Sequence, residues 1–143
     1  MHEELSKTRL YVMRGFYLFN ALVIGYGAWP EIISPGKPWD MIHSVAFSLY
    51  AGYSVLLLLG VLLPTTMLPL LLLQIVYKLI WLTVVALPKW SAGQFNLVSD
   101  NITFFVIIVV MDLIVIPWPY VFKNYVKAGF QQKGSNVRNL VAR

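Results

Sequence analysis

Lys78 is the residue that most needs explaining. It stands near the centre of an apolar run, residues 67–90, MLPLLLLQIVYKLIWLTVVALPKW. An ammonium group there can hold an anion or a carbonyl oxygen, or exchange a proton with a carboxylate. Asp112 is the carboxylate that fits, in the apolar run 101–121. Each is the one formal charge inside the membrane span expected there, about 66–87 for Lys78 and about 101–121 for Asp112. Gln74 precedes Lys78 by one helical turn and Trp81 follows by three residues, so the three share a helix face. Asn20 stands midway along a third apolar run. Asn20, Gln74, Lys78 and Asp112, with Trp81 beside them, form the expected buried polar site.

These residues need elements that hold them at a common depth. The chain has 143 residues, 59% hydrophobic and 12% charged. Soluble domains carry about 25% charged residues, and a soluble chain this short cannot hide so much apolar surface. Four runs approach the roughly 20 residues of helix that cross a bilayer core. They fall at about 10–28, 41–63, 66–87 and 101–121. Asp40 caps the second run and Ser99 and Asp100 offer caps to the fourth. Pro64 and Pro69 bracket the start of the third, where proline is tolerated. The fold class is all-α, a four-helix transmembrane bundle, with residues 1–126 as the membrane domain and 127–143 as a polar basic tail.

Charge gives the direction. The N-terminal side and the C-terminal tail carry eight lysines and arginines, and the two long loops carry two, Lys37 and Lys89. Basic residues favour the cytoplasmic side, so both termini are expected inside. Trp29, Trp39 and Trp90 then mark the outer interface, and Trp118, Tyr120 and Tyr125 the inner one. The net charge of +5 is explained by this topology and not by nucleic acid.

Depth links Lys78 to Asp112. Counted from the outer face, Lys78 lies nine residues below Leu87 and Asp112 eleven below Asn101. At ~1.5 Å per residue their depths differ by roughly 3 Å. A lone charge at a helix centre costs about 2.5–3.5 kcal/mol to insert, and an ion pair at matched depth offsets that for both. The plainer role for such a pair is to fix helix register. The plainer role for Asn20 and Gln74 is interhelical hydrogen bonding. Ser44, Ser48 and Gly52, spaced by four, are expected to let a neighbouring helix approach. His43, near the outer interface, could join Asp40 and Asp100 in a small acid–base cluster, but the plainer role is a solvated or core histidine.

Some chemistry is absent. The chain has no cysteine, which removes disulfides, thiolate metal sites and thiol catalysis. There is no phosphate-binding glycine loop, no HExxH and no GxSxG. No cofactor or metal is expected. No nucleophile–base arrangement is visible, so enzymatic activity ranks last.

The segments 67–90 and 116–126 (IPWPYVFKNYV) resemble small four-helix bacterial inner-membrane proteins. The four-span plan also loosely resembles DoxX-like membrane proteins. The resemblance implies an inner-membrane location and an architecture, and no activity. Two functions fit the residues. One is a structural or accessory subunit of a larger membrane complex, with the bilayer, other membrane subunits or a second copy as partners. The other is a small carrier or ligand-binding protein that uses Lys78 and Asp112 as its substrate or proton site.

Overall fold

A computed structural model describes residues 5–94 and 99–127, with the backbone alone for 99–101. Five helices follow in chain order: α1 Lys7–Ile33, α2 Met41–Leu62, α3 Leu68–Ser91, α4 Ser99–Val115 and α5 Trp118–Lys127. No strand occurs among the described residues. α1, α2 and α3 are each long and apolar enough to cross a membrane, which is the build of an integral membrane protein. α4 has 17 residues, short of the roughly 20 that a straight crossing needs.

Local chemistry sets the ends. The Ser6 hydroxyl accepts from the Arg9 N–H at 3.3 Å and starts α1. The Asp40 carboxylate accepts from the His43 N–H at 2.7 Å and starts α2, as its cap position predicts. α2 stops at Leu62, just before Pro64, whose ring fixes φ and which has no N–H to give. Met67 N–H to Leu63 C=O, 3.1 Å, closes the turn, and α3 begins with Pro69 in its first turn. Gly93, at φ +72°, adopts the left-handed conformation that ends helices.

α3 widens to a π-turn over Leu82–Ala86. Pro88 explains it. In an unbroken α-helix its ring would strike the carbonyl of Val84 and leave that group unbonded. The wider turn lets the Leu87 N–H reach back five residues to Leu82 C=O. The Thr83 hydroxyl takes the Leu79 carbonyl at 2.9 Å. Such single π-turns often accompany functional sites; this one follows Lys78 by one turn.

The fourth run departs from expectation. A helix continuous from 101 to 121 is not formed, because α4 ends at Val115. Pro117 donates no hydrogen bond and disfavours helical geometry at the residue before it. Leu5–Val115 and residues 116–127 belong to separate compact units. In the second, the Val121 N–H returns to Pro117 C=O at 3.0 Å, and the Asn124 amide bonds Tyr120 C=O at 3.0 Å. Residues 128–143 of the expected tail lie outside the described residues.

In the first unit, α1 and α2 approach closely at Tyr17 and Gly60. A Cβ at Gly60 would run into the Tyr17 ring, and the Tyr17 hydroxyl donates to Pro64 C=O at 3.1 Å. This is the close helix approach that small residues permit. The Ser44/Ser48/Gly52 stripe does not provide it: Ser48 and Gly52 are exposed, and nothing lies within 4 Å of where a Gly52 side chain would start. Leu22, Tyr26, Ile42 and Ile80 also face outward, as lipid-facing positions do.

Candidate functional site

The site begins with three buried polar side chains. Gln74 on α3 donates through Nε2 to Asn20 Oδ1 on α1 at 2.6 Å. Asn20 donates through Nδ2 to Phe16 C=O on its own helix at 2.9 Å. The Tyr53 hydroxyl on α2 lies 3.1 Å from Gln74 Oε1 and 2.6 Å from Leu70 C=O. Asn20 and Gln74 are 2% and 0% exposed. Buried amides need partners, the more so in hydrocarbon, and here each is the partner of the next. One network therefore ties three helices together.

Lys78 sits one turn beyond Gln74 and is 2% exposed. Its Nζ lies 5.7 Å from the ring centroids of both Tyr77 and Phe105, near the outer limit at which a ring face attracts a cation. Among the described residues it makes no hydrogen bond and no ion pair. It walls a cavity of about 260 Å³ with Asn20, Phe47, Tyr50, Tyr77 and Phe105 among the lining residues. The lining draws on all four helices of the first unit. Trp81 is not part of that wall; it stacks edge-on against Phe105, centroids 4.9 Å apart, and so supports the ring that faces Lys78.

Asp112 is fully buried, and neither carboxylate oxygen has a hydrogen-bond partner among the described residues. The direct ion pair expected with Lys78 is not made: no nitrogen–oxygen distance between them falls within 4.0 Å. The two charges still interact through space, and Asp112 also interacts with Tyr53 and Tyr77. Matching Cα depths leaves open which neighbour takes the ammonium. Phe105 lies seven residues before Asp112, on the same face of α4, and its ring is one of the two beside Nζ.

The outer candidates separate from this group. His43 Nδ1 lies 3.6 Å from Asp40 Oδ2, and both side chains are about 70% exposed. Their main role is the helix cap. They line a second cavity of about 360 Å³ with Glu31, Lys37, Trp39 and Phe47. Phe47 thus lies in the wall of both cavities. The Asp100 side chain lies outside the described residues. No group of three or more metal-ligating side chains gathers among the described residues.

Tyr53, Tyr50 and Phe105 complete the site and were not singled out for it by sequence. Tyr50 lies with His43, Phe47 and Ser54 along one stripe of α2. Nothing about the Phe104–Phe105 pair in the sequence tells which ring turns inward.

The chemistry available is recognition. A lysine side chain offers three N–H donors, and here they face an apolar, ring-lined space. Fold and site together define an all-helical protein of membrane-spanning type with a cation in the wall of a small open pocket. Compared with known proteins, the chain matches no family profile, no curated sequence and no solved structure.

Proposed function

We propose that this chain is a small ligand-binding protein of the bacterial inner membrane. It holds a compact, mostly apolar molecule by one anionic or carbonyl oxygen at Lys78. The observation that carries this is the Lys78 ammonium: buried, without a hydrogen-bond acceptor, and open to a cavity of about 260 Å³. A buried cation without an acceptor is costly, and an oxygen of the ligand supplies what the protein does not. Ligand pockets usually span about 300–1,000 Å³, so the occupant is small, of the size of benzoate or a short-chain carboxylate. The rings of Phe47, Tyr50, Tyr77 and Phe105 receive its apolar body.

The architecture proposed with it is a four-span bundle with both termini cytoplasmic. Its fourth span is assigned to the apolar run at about 101–121, which Pro117 interrupts. The eight-to-two distribution of basic residues supports the orientation.

A second function, the structural or accessory subunit, is favoured by the Asn20–Gln74–Tyr53 network, which holds three helices together. The same network weakens that role for Lys78, because register is held without it. Native mass spectrometry of the protein extracted in mild detergent separates the two. A small molecule retained by the native protein and lost from a folded Lys78→Met variant supports ligand binding. A stoichiometric protein partner with no small molecule sinks it.

A further inference from the structure

The buried charges do not balance once an anion is bound. Before binding, the site holds one basic group, Lys78, and one acidic group, Asp112, which are 2% and 0% exposed. With one proton fewer than their joint maximum, the pair is neutral whichever of them carries the proton. A monoanion entering the cavity adds a negative charge beside an ammonium that is already balanced. Two anions and one cation in a low-dielectric interior are expensive.

We infer that this protein takes up one proton with each anion it binds, and that Asp112 and Lys78 together hold that proton, which makes the site a proton-coupled anion site. The inference rests on the ligand-binding function proposed above. Its balance is simple. The empty pair plus A⁻ plus H⁺ from water gives protonated Asp112, Lys78 ammonium and bound A⁻, with no covalent bond formed among heavy atoms.

Geometry places the extra proton at this pair. The Asp112 oxygens have no donor among the described residues that would hold them as an anion. Lys78 is near enough to interact yet not in contact, so its N–H donors stay available to the ligand. The other titratable groups that interact with this pair are Tyr77 on α3 and Tyr53 on α2. Among the described residues, no charged group of α1 interacts with Asp112. Asp112 does not line the cavity. It acts on the ligand through Lys78, as a positioning residue.

The test uses the full chain purified in detergent and benzoate as the probe. Between about pH 6 and 8 a carboxylic acid of ordinary pKa near 4 is ionised throughout. Benzoate affinity and proton uptake are then measured in weakly buffered solution. The expected result is about one proton taken up per benzoate and a Kd that rises about tenfold per pH unit, as linkage requires. Asp112→Asn removes both the uptake and the slope and keeps saturable binding; Asp112→Glu restores the slope. The wild-type slope alone decides the matter if a variant fails to fold. Saturable, Lys78-dependent binding with no uptake and no slope overturns the coupling and leaves the binding function intact. No saturable binding at any pH overturns the binding function, and the coupling with it.

Discussion

Gln74 and Asn20 meet across α3 and α1 through a 2.6 Å hydrogen bond, and Tyr53 closes on the same glutamine from α2. Replacing either amide leaves the other buried without its partner. Asn20→Leu and Gln74→Leu are each expected to lower stability, and the double change to cost less than their sum. Interhelical bonds of this kind couple by about 0.6 and at most about 1.7 kcal/mol. Unfolding in mixed detergent micelles, run as a double-mutant cycle, measures the term; zero coupling would remove the network from the list of forces holding the bundle.

Gly60 lies where the Tyr17 ring crosses α2. Gly60→Ala forces ring and helix apart, at a cost of about 1–3 kcal/mol. The same thermal or detergent unfolding assay reads it. A Gly52→Ala change has open space around it and is expected to be neutral.

Asp112 contradicts the usual expectation for a buried charge. Breaking a direct buried ion pair costs about 3–5 kcal/mol. Here Asp112 touches no cation within 4.0 Å and has no hydrogen-bond donor among the described residues, so Asp112→Leu should cost clearly less than that, the loss being its through-space interaction with Lys78. A loss of several kcal/mol on unfolding would mean that Lys78 and Asp112 pair directly after all.

How much of this was legible beforehand differs residue by residue. The three long helices follow from apolar run length, and Asp40 capping α2 follows from residue type. Asn20, Gln74, Lys78 and Asp112 could be picked out because a polar residue inside a bilayer-length run must be accounted for. Their partners could not. Depth is a count of residues, but contact depends on which way each helix is turned, and so Lys78 reaches ring faces where an ion pair with Asp112 was expected. The small-residue stripe misled for the same reason: spacing defines a face of α2 without saying that Gly60, on another face, meets Tyr17. Hydropathy alone carries the fourth run past the end of α4, because it continues across Ile116–Pro117 where the helical backbone cannot.

Topology can be read directly, since the chain has no native cysteine. Lys37→Cys is expected to react with a membrane-impermeant maleimide applied to spheroplasts, and Ser135→Cys only after the membrane is opened. The reverse pattern would invert the protein, and labelling of both from outside would remove the even number of spans.

Phe47 lines both the outer cavity and the one at Lys78. Phe47→Ala is expected to join the two spaces, of about 360 Å³ and about 260 Å³. Lys78 should then react several-fold faster with a water-soluble amine reagent, read by peptide mass spectrometry. An unchanged rate would mean that the reagent reaches Lys78 by another path.

The central claim is that Lys78 holds the ligand's oxygen. Calorimetric titration of benzoate into the folded wild type, Lys78→Arg and Lys78→Met tests it most directly. A hydrogen bond to a charged group contributes about 1.5–3 kcal/mol, so Lys78→Met should weaken binding by roughly 10- to 100-fold, with Lys78→Arg between the two. Equal affinity for wild type and Lys78→Met would contradict the account.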